Sequence, residues 1–503
     1  MKASTLRTFT TVHTWTGLLA GFALFIAFYA GALTMFFHYD RALAGYQYEM
    51  LVPWISSLGI SFHLGVDGIG TTLVLLHALC AFCGVLISYA ITDRVKEYYI
   101  FYLVLITGVF GVFTSLDVFF FYFFYEMAVI PMYPLIGIWG SDVKEHGVVR
   151  FSKAYAAMKL TIYLTAGAVL ALVGLLWLYA SSGLQTSDLV ALEHHFSVTP
   201  LPPHLQQMIF PLLVIGFGII APMWPFHSWS PIGHAAAPSA VSMLHAGVLM
   251  KLGSYAIIRL AVSLMPDGAR LWLPWLAGLC VMNIIYGGLV AMAQKDLKLI
   301  IGYSSSSHMG YVLLGIAVLT PVGLNGAVLL MFAHGLMTAL SFALVGHVYD
   351  QTHTRYLPEL GGLAKSLPFI ATCGVIAAMA SSGLPGFANF VAELLVILGA
   401  WDRYRLQAVL AVFGVVITSV YMLRLVRGTF FGPANESLPH ARDATTPFAR
   451  LPYVILTVAL LAVGCWPKPL ISLIDLSTRP IIVRIARAQA AAPAMGSMWR
   501  ESY

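Results

Sequence analysis

The sequence predicts an all-α polytopic membrane protein with about thirteen crossings, and three observations predict it. Of 503 residues, 59% are hydrophobic and only 10% are charged, where a soluble domain carries about 25% charged residues. Mean hydropathy is +0.85. Long apolar runs recur along the whole chain, separated by short polar turns. A chain this apolar needs lipid as its solvent, which excludes a soluble enzyme, a disordered tail and a nucleic-acid binder. The formal charge of +6 is thinly spread and bears on topology rather than on an anionic partner.

With about 20 apolar residues per crossing, helices fall near 14–38, 67–92, 98–115, 118–139, 154–180, 207–227, 237–263, 272–293, 299–318, 324–348, 367–402, 406–427 and 450–474. The loops with Arg94 and Lys96, with Lys144, Arg150 and Lys153, with Lys295 and Lys298, with Arg355 and Lys365, and with Arg424 through Arg450 fall on one side. The stretch 181–206 has no Lys or Arg and falls on the other. The positive side is expected to face the cytoplasm of a bacterial inner membrane. Lys2 and Arg7 then place the N-terminus inside, and an odd helix count places the C-terminus in the periplasm. Arg479, Arg484 and Arg487 lie in that outer tail, against the rule. The segment 469–490 reads as an amphipathic helix along the membrane surface.

The expected organisation is an anchor helix in 1–45, a core in 46–430, and a last transmembrane helix with an amphipathic tail in 431–503. No linker is long enough for a second domain. The first apolar run is too long for a signal-peptide core and lacks a small-residue cleavage site. Cys80, Cys83, Cys280, Cys373 and Cys465 lie in or beside apolar stretches and read as buried thiols with no disulfide framework.

Two helices look broken. One contains Pro222, Pro225, Pro231 and Pro238; the other contains the run 381–386, SSGLPG. Proline and glycine inside a membrane helix free backbone groups that need protein or water as partner. One such helix in each half points to an inverted-repeat transporter fold. The competing reading is a simple proline kink in a packed bundle.

Ionisable residues stand where lipid-spanning sequence is otherwise apolar. They are Glu126 in FFYEMAVIP, Lys159 in YAAMKLTIY, His245 and Lys251 in MLHAGVLMKLG, His308 in SSSSHMGY, His334 in MFAHGLM and Glu393 in FVAELLV. A charge at mid-bilayer costs about 2.5 kcal/mol upward, so each is a functional hypothesis. Burial moves the pKa values of acids and bases toward neutrality, where protons exchange readily. A row of Glu, Lys and His on separate helices suits a proton wire. The competing reading for each is structural: a hydrogen-bonded core histidine, or a lysine that snorkels to the interface. The histidines are not at metal-ligand spacing. No G-x-G-x-x-G after a strand, Walker loop or nucleophile elbow occurs, so no bound NADH, ATP or flavin is expected in this chain.

These residues stand in motifs that resemble the M-type (chain 4-like) antiporter-like membrane subunit of respiratory complex I, NADH:quinone oxidoreductase. The matching pieces are WISSLGISFHLGVDGIG, FFYEMAVIPMYPLIGIWG, PFHSWSPIGHAAAPSAVSMLHAGVLMKLGSYAIIRL, AQKDLKLIIGYSSSSHMGYVLLGI, FAHGLMTALSFALVGHVYDQTHTR and GLPGFANFVAELLVILG. They run in order from Trp54 to Gly432. The resemblance implies two inverted five-helix repeats with broken helices. It implies that Glu126 is the family's first-half glutamate and Lys251 its central lysine. His308 and His334 correspond to relay residues, Glu393 to the terminal carboxylate, and Lys159 to a further family lysine. It implies no redox group here; NADH, FMN, iron–sulfur clusters and quinone are expected in partner subunits. The expected partners are the other membrane-arm subunits, with the peripheral arm contacted indirectly, and lipids.

Three departures stand out. The family lysine two residues before Pro222 is Ile220 here, and the family's P-D-A-H reads Pro231-Ile232-Gly233-His234. His245 stands where M-type chains usually carry an apolar residue, and we expect it partly to replace the missing cation near Glu126; the competing reading is a divergent or second M-like copy with reduced pumping. The family's two N-terminal helices are reduced to one, whose H-x-W-x-G-L opening at His13 is similar to a PepSY-type membrane helix. That helix is read as an anchor, with haem ligation by His13 or His38 as the lesser reading. The expected function is proton translocation coupled to electron transfer in partner subunits. The alternatives are a subunit of a cation/proton antiporter, of an ion-coupled bicarbonate uptake system or of a membrane-bound hydrogenase, or a non-pumping spacer.

Overall fold

The computed structural model describes residues 26–491, apart from positions 146, 434, 436, 437, 439 and 440. Among these residues, ten helices are long and apolar enough to cross a bilayer. Three of the thirteen expected crossings have no counterpart among these ten. The first falls largely outside the described residues, which begin it at α1 (Ile26–His38). The PepSY-like opening and His13 lie outside them too. The second is 299–318, a helix made too polar by serines 304–307 and His308. The third is 367–402, which is two half-helices.

The bundle has two distinct ends. At one end α2 (Gly68–Ile87), α4 (Val118–Val129) and α7 (Leu189–Val198) begin. Each starts on an aspartate whose carboxylate accepts backbone N–H groups left free by the first turn. Asp67 takes Gly70 N at 2.8 Å, Asp117 takes Phe119 N at 2.9 Å and Asp188 takes Ala191 N at 2.7 Å. The same carboxylates bind the chain nearby. Asp117 accepts from Ser187 Oγ at 2.6 Å, and Asp188 lies 2.5 Å from His63 Nδ1.

His63 belongs to an antiparallel hairpin of β1 (Gln47–Ile55) and β2 (Ile60–Val66), with Gln47 opposite Val66. This hairpin, and the three-residue strand β3 (Val143–Glu145) paired with β4 (Val148–Phe151), are short additions to an otherwise helical fold. The register of the first hairpin shifts at Pro53, where proline supplies no ladder donor. Its turn needs glycine: Gly59 has φ +63°, and a Cβ there would lie 1.9 Å from the Gln185 carbonyl. Helix α7 falls within 181–206, where apolar run length predicts no crossing.

The remaining core consists of α3 (Val95–Thr114), α5 (Met132–Trp139), α6 (Lys153–Ser181), α8 (Pro203–Ile220), α9 (Trp229–Ala236) and α10 (Ser239–Val262). It continues with α11 (Pro266–Ala293), α12 (Leu297–Ala317), α13 (Pro321–Thr352), α14 (Pro368–Ser381), α15 (Ala388–Trp401), α16 (Arg405–Phe430) and α17 (Pro447–Cys465). Helices α10 and α13 sit at the centre, each with an 18-residue stretch that is fully buried. Both expected breaks exist, between α8 and α9 and between α14 and α15. The carbonyls and amides freed at the first break are met by Asn283 of α11. Its Nδ2 donates to Pro222 O at 3.0 Å and to Ser306 O at 2.8 Å, and its Oδ1 accepts from Trp224 N.

The predicted amphipathic tail is one helix, α18 (Lys468–Ala491). It lies across the starts of α2 and α13: Gly68 N donates to Ser477 Oγ at 2.8 Å, and Asn325 Nδ2 donates to Asp475 at 2.8 Å. Leu470, Leu473, Ile474 and Thr478 are buried beneath it. Four of the five cysteines are buried free thiols; Cys465, at the end of α17, is exposed and corrects that reading.

Candidate functional site

The site is built on the central helix α10. Two π-helical turns interrupt it, at His245–Leu249 and Ile257–Val262. A π turn displaces the regular ladder and frees backbone for other partners. Here the Ala246 carbonyl accepts the Lys251 ammonium, which is fully buried.

Lys251 Nζ also lies 2.8 Å from Nδ1 of His334 on α13. The His334 ring is 5.2 Å, centroid to centroid, from the His308 ring on α12. His308 faces acceptors at both ring nitrogens: Ser304 O is 2.9 Å from Nδ1, and Ser381 O and Glu393 Oε1 are 3.2 and 3.3 Å from Nε2. Glu393 on α15 is 4% exposed. The carboxylate fits because of the second helix break. Gly383 has φ +65°, and a Cβ there would lie 2.8 Å from Glu393 Oε2. Lys251, His334, His308 and Glu393 therefore lie in one buried row across α10, α13, α12 and α15, in which His334 Nε2 and Glu393 Oε1 make no hydrogen bond to the protein.

The other sequence-predicted residues do not join it. Glu126 on α4 is half-buried, one turn after Tyr122 on the same helix. Among the described residues, no Lys or Arg forms an ion pair with it. Lys159 on α6 is half-buried between the rings of Tyr155 and Tyr163, each 5.9 Å from its Nζ. His245 is fully buried but does not meet Glu126, which overturns the expected substitution for the missing cation. Its ring stacks on Trp229 at 5.3 Å and lies 4.1 Å from the ring of His234. Ile220 fills the place of the family lysine with an apolar contact: a Cβ on Gly253 would lie 2.5 Å from Ile220 Cγ2, so α8 packs tightly on α10 here.

Sequence reasoning missed three supporting groups. Asn283 holds the first break, as described. Arg355 donates to Asp296 at 2.6 Å and to the Ala235 carbonyl at 2.7 Å, fixing the end of α9. Arg259, at the far end of α10, forms a buried ion pair with Asp67. Only a polar residue in an apolar run signals any of them, and that signal does not name a partner.

A multi-pass membrane bundle with two broken helices and a buried Lys–His–His–Glu line is the arrangement of an antiporter-like membrane subunit. Residues 115–418 match the family described as NADH:quinone oxidoreductase/Mrp antiporter, and the chain belongs to that family. Within it, the chain is an M-type subunit of the complex I kind. It is 35% identical over 483 residues to NAD(P)H-quinone oxidoreductase chain 4 of Gloeobacter violaceus, covering 93% of this chain and 88% of that one. It is 33% identical over 475 residues to NADH-quinone oxidoreductase subunit M of Rickettsia prowazekii, covering 92% and 93%. A chain of respiratory complex I from Thermus thermophilus superposes with a TM-score of 0.82 at 27% identity, covering 93% of this chain and 94% of that one. A chain of the Mrp complex from Dietzia shares the fold, with a TM-score of 0.79 at 20% identity and 94% of each chain covered.

Proposed function

We propose that this chain is a proton-translocating membrane-arm subunit of an NADH:quinone oxidoreductase. The observation that carries the reading is the buried line from Lys251 through His334 and His308 to Glu393. Each step joins groups that gain and lose protons, and each crosses from one helix to another. A proton leaving Lys251 reaches His334 Nδ1, and release from that ring passes the charge toward His308 and then Glu393. Burial of α10 and α13 in the bundle centre separates the line from the surface along its length. The printed names of the relatives support the coupling partner, an NADH- or NAD(P)H-quinone oxidoreductase.

In this reading residues 46–430 form the translocating core. NADH, FMN, iron–sulfur clusters and quinone sit in partner subunits, and this chain carries no redox centre. The neighbours are other membrane-arm subunits and lipid. The chain lies in a bacterial inner membrane with its N-terminus cytoplasmic and its C-terminus periplasmic, as the positive loops direct. Glu126 and Lys159 modulate the line from outside it.

A second reading, a non-pumping spacer, is favoured by one observation, the apolar Ile220 in place of the family lysine. Two measurements decide. Affinity purification of this chain in mild detergent, followed by mass spectrometry, should bring down flavin and iron–sulfur subunits; antiporter or hydrogenase subunits instead would overturn the assignment. In the assembled complex, Lys251→Met should lose proton yield per electron pair. An unchanged yield would establish the spacer.

A further inference from the structure

A cavity of about 360 Å³ opens among the ends of α2, α5 and α13 and the starts of α3, α10, α12 and α17. This is the end of the bundle that carries the positive loops, and none of the Lys–His–His–Glu row lines the cavity. Its volume falls in the range of small-ligand pockets, about 300–1,000 Å³. Two opposite charges line it without meeting. Lys298 is 3% exposed, and its Nζ donates to Ala237 O, on the same wall, at 2.7 Å. An ammonium has three donors, so two remain for whatever fills the space. Asp350 lines the same cavity and is exposed. Among the described residues, neither side chain forms an ion pair. A buried ammonium is costly unless an anion meets it.

The mouth of the cavity is aromatic. Tyr89 and Phe448 are 82% and 57% exposed, with ring centroids 6.4 Å apart. Tyr98 and Tyr349 also line the space. Tyrosine rings gather at the level of lipid head groups, where one end of the ring is apolar and the other wet. From Phe448 the exposed apolar side chains of α17 continue as Leu451, Val454, Val458 and Leu461. Their spacing of three and four residues keeps them on one side of the helix. A charged cavity therefore opens onto an apolar stripe that runs toward the bilayer centre. A small anion or amine would use the cavity and leave the stripe; a partner helix would cover the stripe and leave both charges unmet. An amphiphile uses both.

We propose that this cavity is a binding site for a phospholipid whose head group carries both a phosphate and a primary ammonium. The phosphate accepts the two remaining N–H donors of Lys298, as basic pockets between membrane helices accept lipid phosphates. The ammonium meets the Asp350 carboxylate and the faces of Tyr98 and Tyr349. An acyl chain leaves between Tyr89 and Phe448 and lies along the α17 stripe. The site stands independently of the relay.

The test is photo-labelling of the intact complex, reconstituted with phosphatidylethanolamine that carries a diazirine on one acyl chain, with labelled peptides read by mass spectrometry. Labelling should fall on 447–465, the span of α17, and excess unlabelled phosphatidylethanolamine should suppress it. Phosphatidylglycerol, which has the phosphate without the ammonium, should compete about tenfold less well, the loss of one hydrogen bond to a charged group. Asp350→Asn should abolish that preference between head groups. Lys298→Gln should lower labelling about tenfold. Bulk lipid wetting α17 would label it regardless of head group and equally in both variants, and that result overturns the site, as does labelling confined to other helices. Suppression by inorganic phosphate alone would also overturn it, since a free anion and not a lipid would then fill the cavity. Should Lys298→Gln fail to assemble, the head-group competition in the wild type and in Asp350→Asn decides by itself.

Discussion

Lys251 Nζ and His334 Nδ1 are 2.8 Å apart, fully buried, on the two helices at the centre of the bundle. The Ala246 carbonyl, in a π turn of α10, holds the lysine from behind.

Replacement of Lys251 by Met keeps length and apolar packing while removing the transferable proton. Proton yield should fall about tenfold or more, with assembly and electron transfer of the complex retained. Fluorescence-quench assays on inverted vesicles, normalised to electron-donor oxidation, check this.

Restoring the family lysine by Ile220→Lys should not restore a family ion pair. Ile220 is fully buried and packs against Gly253 of α10. The new charge is buried without a partner, at a cost of about 2.5–3.5 kcal/mol. A lower thermal midpoint of the purified complex, with no gain in pumping, is the expected result.

The Arg259–Asp67 pair ties the end of α10 to the cap of α2, with side chains only 4% and 5% exposed. Removing one partner strands the other charge, so Asp67→Leu should destabilise the chain by about 3–5 kcal/mol. The double change Asp67→Leu with Arg259→Met should recover much of that loss. Thermal unfolding of the three variants in one detergent measures both effects.

At Gly383 the backbone is left-handed and the space for a Cβ is taken by Glu393 Oε2. Gly383→Ala should cost about 1–2 kcal/mol in backbone conformation and displace the carboxylate from His308. Pumping should fall more than stability does. A variant that folds and pumps normally would show that the His308–Glu393 contact of 3.3 Å is not used.

Much of this was legible in the chain itself. Apolar run length gave the membrane class, because a bilayer imposes a fixed span and lipid offers no partner to backbone. Prolines and glycines marked both helix breaks. Buried Lys, His and Glu marked the site, since lipid tolerates such groups only at a cost that function must justify. Motif order brought the family.

The tertiary structure decided which of those residues meet. Along the sequence all seven of Glu126, Lys159, His245, Lys251, His308, His334 and Glu393 are candidates, with Glu126 and Lys251 the hardest to read as merely structural. Packing of α10 against α13, α12 and α15 brought four into line and left Glu126 and Lys159 outside it. It turned His245 toward His234 rather than toward Glu126. The hairpin β1–β2 and helix α7 also escaped the sequence reading, because they are held by contacts far apart in the chain, such as His63 with Asp188 at 2.5 Å. Residue type and local pattern determine whether a segment belongs in lipid and where its helix breaks; which proton carriers touch is a property of helix packing, which no local window contains.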